Sequence, residues 1–588
     1  MEAKQKSRKS CALLQHSFKK SLKVFLKETG LHGLKFVGDS ELNIWERQAS
    51  VVGLSRILLL RTNCRSFFLI AFVAALAMTC QLISNIYAKW VSTPVIIGIS
   101  PHATSIRKVP FPAVTVCNMN QFQRSKVLQY REGSPEYDVM KVLCNPRSER
   151  VYHSTEADNR AWDTTVNSSN TLKITDFVKN HSQPCHQMLR YCRFNGHVAP
   201  CAEIFRLILT DEGLCCVFNF LPAHFIYKSH QVESMSDIEA LGYQPVPWNP
   251  EAGYPAKLPK HHYPLPGAGT GITMGFTLVL DAQLSEYYCS STNGPGFKVL
   301  FHNPITTPNV KEEGLVLGIG YETNFRLAVS MSEAVPALRS ISRQDRQCVF
   351  NDEKELLYHR VYTHNYCERE CIAQYLYQAC TCIPHNYPLI YKNASVCGVK
   401  DTECIHQANL PENEHRSDRC RKECLPSCFD LTYTADSLYF PLAKRDFKLA
   451  NRVVASMNKS YLLDNIAVMH LYYRESAYYG SIKNVYIGFT EFLSNIGGVM
   501  GLFMGFSVIS IAEMLYFLVL KPLSELIAWK YGSKKLPRIE RTPSKQQLNQ
   551  DNLVWHTREL YPKGMSSNKM QPRGKNAKIL LVKDKYKY

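Results

Sequence analysis

Residues 492–520 read FLSNIGGVMGLFMGFSVISIAEMLYFLVL. The run carries one charged side chain, Glu513, over a length that reaches about 43 Å as one straight helix. A hydrocarbon core is about 30 Å thick, so a spanning segment of this length must tilt, kink or break. Gly497, Gly501 and Gly505 recur at every fourth residue. Glycine at that spacing lets helices approach closely. An ionisable residue in a spanning helix is costly and faces protein or water. Together these features predict a helix that lines a pore.

A second apolar run, SFFLIAFVAALAMTCQLISNIYA, occupies 66–88 and has no charge. At about 1.5 Å per residue it covers about 34 Å, enough to cross. It starts behind a long basic segment, too deep for a cleaved leader. Residues 1–65 hold 13 Lys+Arg against 5 Asp+Glu, and residues 521–588 hold 16 against 5. The whole-chain charge is +19, so the intervening segment balances to zero and the basic excess lies in the tails. Positive flanks predict two cytoplasmic tails (1–65 and 521–588), spans at 66–88 and 491–520, and an extracellular region at 89–490. A basic excess that flanks spans argues against nucleic acid as a partner. Of 21 cysteines, 18 lie between the spans and none in the C-terminal tail. The sequons at Asn167, Asn180, Asn393 and Asn458 lie there too. Both patterns predict an oxidising compartment for that segment.

In the N-terminal tail, Phe18, Leu22, Phe25 and Leu26 fall at helical spacing, with Lys20, Lys23 and Lys27 elsewhere around the helix and Gly30 as a stop. This reads either as a helix on the inner membrane surface or as a short packed helix. Between the spans the chain reads as mixed α and β. Two prolines before an alternating run make 109–118 resemble an edge strand. Residues 216–220, 271–282, 429–440 and 465–473 also read as strands, and 245–268 as loop.

Segment 348–428 is dominated by cysteine. Cys367/Cys371 and Cys420/Cys424 each have i, i+4 spacing, one face of a helix. Antiparallel helices would pair Cys367–Cys424 and Cys371–Cys420. Nesting outward adds Cys348–Cys428, and nesting inward adds Cys380–Cys404 and Cys382–Cys397. Such a hairpin, stapled rung by rung, needs little core of its own. Cys-x3-Cys also suits zinc, but an oxidising compartment and the lack of neat histidine partners weigh against a metal.

The chain resembles the degenerin/epithelial sodium channel (DEG/ENaC) family, most closely its insect pickpocket-type subunits. The resemblance rests on Phe111-Pro112-Ala113-Val114-Thr115-Val116-Cys117-Asn118 and on Ser494-Asn495-Ile496-Gly497-Gly498 running into Gly501-Leu502-Phe503-Met504-Gly505-Phe506-Ser507. His32-Gly33 and the cysteine ladder fall in family order. The resemblance implies a trimer with two transmembrane helices per subunit and a disulfide-rich α+β ectodomain shaped as a hand. Segment 348–428 would be the thumb, and strands near 109–118, 216–220, 429–440 and 465–473 the palm. It further implies Cys117–Cys215 and Cys192–Cys201, leaving Cys144, Cys185, Cys216 and Cys289 unassigned.

Functional residues carry over by position. Gly505-Phe506-Ser507 matches the selectivity filter, where freed carbonyls replace part of a cation's hydration shell. Phe506 is bulkier than the family's usual middle residue. Glu513 matches an acidic pore ring; its plainer reading is an interfacial carboxylate. Ser494 matches the degenerin position, with Gly497, Gly498 and Gly501 beside it, and His32-Gly33 matches a gating motif. Asn495 stands where some relatives have Asp. The implied function is passive, sodium-permeable, amiloride-sensitive conduction in the plasma membrane by a homo- or heterotrimer. Sodium is the permeant ion and no cofactor is expected. A non-conducting accessory or sensory subunit is the alternative, and an ATP-gated two-span channel lacks these signatures. Gly-x-Ser-x-Gly, His-Glu-x-x-His and P-loop patterns are missing, so an enzyme is not expected. The C-terminal tail carries no Pro-Pro-x-Tyr site.

Overall fold

The computed structural model describes residues 64–144, 174–228, 243–408, 414–442 and 447–530, and 16–31 except 17, 27 and 30. Asn167, His32, Gly33 and Gly30 lie outside the described residues.

Two sheets carry the region between the apolar runs. The larger, mixed sheet has the order Val95–Ile99, Ser481–Val485, Tyr321–Ala334, Ile466–Tyr473, Phe276–Asp281, Leu189–Phe194, His197–Ala199. Asp430–Pro441 joins it by pairing along Tyr321–Ala334. The smaller sheet, antiparallel throughout, runs Leu315–Gly318, Gly296–His302, Ala113–Asn118, Gly213–Phe218, Phe205–Thr210. Its apolar residues and those of the larger sheet share one core, in which Phe111 meets Phe194, Phe218 and Tyr473 edge to face.

Two sequence expectations are corrected here. The strand within 109–118 is not an edge. Ala113–Asn118 is the middle strand of the smaller sheet and is buried along its whole length. Pro110 and Pro112 precede the paired residues, so they cost the ladder no donor. Nor do the four expected palm strands form one sheet. Ala113–Asn118 and Gly213–Phe218 belong to the smaller sheet, while Asp430–Pro441 and Ile466–Tyr473 belong to the larger. Alternation marks a strand but does not name its partner.

The stapled segment is a hairpin of helices His364–Cys380 and Glu414–Glu423. Thr363 caps the first by accepting from the Tyr366 N–H, and Thr381 ends it in the left-handed region at φ 58°. The disulfides Cys348–Cys428, Cys367–Cys424, Cys371–Cys420, Cys380–Cys404 and Cys382–Cys397 are the nested set that the spacing predicts. Cys117–Cys215 and Cys192–Cys201 pair as the resemblance implies. The four unassigned cysteines form Cys144–Cys289 and Cys185–Cys216. Cys117–Cys215 closes a separation of 98 residues, for which chain entropy alone contributes about 4–5 kcal/mol.

His302 makes the smaller sheet acid-sensitive. Its Nδ1–H donates to the Asn303 carbonyl at 3.1 Å, and its Nε2 accepts from the Thr115 hydroxyl at 2.9 Å. Burial pushes its pKa down to about 4. The unfolded chain takes this proton near pH 6.5, whereas the folded one resists to about pH 4. The stabilisation from neutral His302 is therefore present above pH 6.5 and is lost as pH falls towards 4, by about 3 kcal/mol. His302→Gln is expected to flatten that part of the stability profile. A denaturant series at pH 7 and pH 4.5 that shows the same acid loss in both proteins would rule His302 out as its source.

Candidate functional site: the broken apolar helix

The first apolar run forms one helix, Cys64–Ser92, long and apolar enough to cross a membrane. The second is broken. Helices Phe489–Met504 and Val508–Glu525 pass the same test as a pair, bent by 70° at the break.

The break is written in residues 505–510. Gly505 adopts φ 62°, left-handed backbone that glycine enters without a Cβ clash. Its N–H returns to the Gly501 carbonyl at 3.0 Å, closing the helix in an αL cap, and the Phe506 N–H reaches the Met500 carbonyl at 3.3 Å. The next helix restarts two residues later. Ser507 Oγ accepts from the Ser510 N–H at 3.3 Å, and Ser510 Oγ accepts from the Ser507 N–H at 3.2 Å. That reciprocal pair is a capping box built from two serines. Gly505 and Ser507 thus stop and restart the helix, and no backbone amide of the described residues reaches the carbonyls of 502–506. Ser510 is buried, and the sequence reading missed it; Ser-x-x-Ser directly after a glycine is the signal that marks it.

Ser494, Gly497, Gly498 and Gly501 fall at i, i+3, i+4 and i+7, one face of the helix Phe489–Met504. Ser494, Gly497 and Gly498 are exposed, and a Cβ at either glycine would meet nothing within 4 Å. Nothing inside the subunit requires glycine there. Phe492 lies about 200° round the helix from Ser494 and stacks on Trp90 of the first helix at 4.5 Å. The small-residue face therefore points away from the first helix. Glu513 is half-buried on the restarted helix, two turns past Gly505.

The described residues from Met514 onward form a compact unit with the described residues up to Phe25. Tyr516–Leu520 makes one wide π-helical turn before the helix Lys521–Lys530. Phe25 of the N-terminal helix is buried, its ring 6.2 Å from Phe517. Phe18 is exposed, and Leu22 and Leu26 are half-buried.

The stapled hairpin is fixed at its root by a buried cluster that sequence reasoning also missed. Glu370 accepts from the backbone N–H groups of Leu357, Tyr358 and His359 and from His359 Nδ1 at 2.7 Å. Burial works to raise the Glu370 pKa, but these bonds outweigh it and hold the carboxyl below its usual value. Burial pushes His359 down, so the pair rests as carboxylate and neutral imidazole. The His359 ring stacks on Tyr366 at 3.6 Å, and the Tyr366 hydroxyl reaches the Ile305 carbonyl and accepts from the Thr307 N–H. Nothing in the local pattern separates Glu370 from Glu368, the half-buried acid of the same helix. Among the glycosylation candidates, Asn180 and Asn393 are exposed. Asn458 is exposed too and caps the helix Lys459–Asn465.

The profile of the amiloride-sensitive sodium channel family matches residues 25–517, and the chain belongs to that family of membrane ion channels, not to an enzyme family. It is 34% identical to Pickpocket protein 28 of Drosophila melanogaster, over 86% of this chain and 79% of that protein. It is 22% identical to Sodium channel protein Nach of Drosophila ananassae (86% and 87%) and 24% identical to the Bile acid-sensitive ion channel of Rattus norvegicus (70% and 74%). Channels of this family are multimeric and sit in the plasma membrane.

Proposed function

We propose that this chain is a pore-forming subunit of a sodium-permeable, amiloride-sensitive cation channel. In this reading Cys64–Ser92 and the broken pair both span the membrane, and the two basic tails are cytoplasmic. Three subunits, identical or related, surround one pore. The observation that carries the reading is the capped break at Gly505-Phe506-Ser507. Irregular backbone at membrane depth is tolerated only where it faces protein or a water-filled path. Carbonyls freed there can replace part of the hydration shell of a sodium ion.

The remaining residues take supporting roles. Three copies of Glu513 form a negative ring that concentrates cations. The face of Ser494, Gly497, Gly498 and Gly501 packs against a second copy near the axis and forms the gate. His32-Gly33 couples the N-terminal tail to that gate. Asn167, Asn180, Asn393 and Asn458 are glycosylated on the outer face. Phe506 favours a second reading, a subunit that conducts only beside partners with a smaller residue in the filter.

Whole-cell recording of cells expressing this chain alone tests the assignment. An inward current carried by sodium, lost when a large organic cation replaces it and blocked by amiloride, is the expected result. A current that persists in the large cation would remove the selective filter. Silence with surface expression confirmed, followed by current on co-expression with a relative, would establish the heteromeric reading.

A further inference from the structure

Residues 335–353 form a neck that joins the strand Tyr321–Ala334 to the stapled hairpin, and Cys348 within it carries the outermost rung, Cys348–Cys428. The apolar side of the neck meets both apolar helices at one remove. Leu338, Cys348, Phe350 and Cys428 are buried in one cluster, with Val95 and Val485 packed against it. Val95 opens the strand that follows the helix Cys64–Ser92, and Val485 closes the strand that precedes Phe489–Met504. The Val335 N–H also donates to the Lys483 carbonyl of that second strand at 3.1 Å. Close-packed side chains transmit displacement, so a shift of the neck is felt at both strands.

Two arginines hold the neck, and they differ in kind. Arg346 is buried, with 1% of its side chain exposed. It donates to the carbonyls of Leu338, Ile341 and Cys348 and pairs with Glu353, all within the neck. Parting it from these partners would leave a buried charge uncompensated, so it is a fixed rivet. Arg339 has 40% of its side chain exposed. It donates to Asp352 at 2.8 and 2.9 Å, inside the neck, and to Glu251 at 2.8 Å, outside it. The other oxygen of Glu251 accepts from the Asn351 N–H at 3.0 Å. Both guanidiniums lie over the Phe350 ring, Arg339 at 4.1 Å and Arg346 at 4.9 Å.

Glu251 belongs to the mostly irregular segment 243–266, which is anchored elsewhere. Val246, Trp248 and Tyr263 are buried. The Val246 N–H donates to the Tyr263 carbonyl at 2.8 Å, and the Leu265 carbonyl accepts from the Phe111 N–H at 2.7 Å. Glu251 thus ties the neck to a part of the fold that lies in neither the hairpin nor the two main sheets. An ion pair open to water parts at little cost, because water solvates both charges when they separate.

We propose that Glu251 and Arg339 form a releasable latch on the neck. Closed, it holds residues 335–353 in one place. Open, it frees them to shift over Val95 and Val485. Both are positioning residues, and only the effect on current rests on the channel reading above.

Hydrogen exchange of the full-length protein in detergent micelles tests the latch. Glu251→Gln and Arg339→Gln are each expected to speed exchange at 335–353 about fivefold, the scale of an exposed ion pair, with the melting midpoint unchanged. The double variant should add nothing to either. Asp352→Asn removes a partner that lies within the neck and should leave exchange as in the parent. Unchanged exchange in the single variants, additive rises in the double, or an equal rise in Asp352→Asn overturns the latch. In cells where the parent conducts, alone or beside a relative, both single variants should shift resting current about fivefold in one direction, and the double no further. Resting current unchanged in all three overturns the link from latch to gate. Exchange does not read current, so a silent parent counts against the pore reading alone.

Discussion

Gly505→Val is expected to remove sodium current by about 100-fold or more while the protein still reaches the cell surface. Gly505 sits at φ 62°, where a β-branched residue costs about 1–3 kcal/mol. Strain of that size does not unfold a chain whose ectodomain is held by nine disulfides. It does act on the cap, because the Gly505 N–H must return to the Gly501 carbonyl for the helix to stop. Relieving the strain lets the helix run on through Phe506 and Ser507. The carbonyls freed at the break are then taken back into the helix ladder, and the Ser507–Ser510 box loses its purpose. In the proposed trimer the change would be made three times at one level of the pore, with the valine side chains beside its axis. Gly505→Ala should be milder, since it brings the strain with less bulk. Current density and reversal potential, recorded beside surface labelling, decide the matter. A Gly505→Val channel with unchanged current and reversal potential would move the filter elsewhere on the helix.

The same residues show what a sequence discloses. The length of the run showed that it must tilt, kink or break, but the place of the break at Gly505-Phe506-Ser507 came through the family resemblance, although its stop and start signals are local: a glycine's φ and a serine's reach span a few residues. The cysteine ladder was legible from the residues themselves. Cys367/Cys371 and Cys420/Cys424 each mark one helix face, and antiparallel packing then leaves one nesting order. Cys144–Cys289 and Cys185–Cys216 offered no such handle. Their partners stand 145 and 31 residues apart, joined only by where the chain returns. Strand partners were hidden in the same way. The alternation in 113–118 announces a strand, but its central place follows from Gly296–His302 and Gly213–Phe218 closing on both sides. Glu370 was hidden more deeply, since its burial depends on a loop folding back to offer three amide N–H groups.

Ser494→Phe is the second large effect, an expected rise in resting current of about tenfold. Ser494 shares a helix face with Gly497, Gly498 and Gly501, and Phe492 on the opposite side holds that helix to Trp90 of the first. The small face is thus left for a neighbour, and Gly497 and Gly498 along it have open space above them. Closing a pore along such a face needs the three helices to meet with little between them. A phenylalanine overpacks that contact by about 1–3 kcal/mol, a penalty borne by the closed state and relieved in an open one. About 1.4 kcal/mol of such bias moves the open fraction tenfold. Side-chain size orders the series: Ser494→Ala should behave as the parent, Ser494→Val should fall between, and Ser494→Phe should leak most. A leak that follows charge or polarity instead of volume would point to an ion-binding role for this residue. A silent Ser494→Phe channel at normal surface density, in cells where the parent conducts, would remove Ser494 from the gate. It would leave the glycine face as a packing seam between helices that do not move.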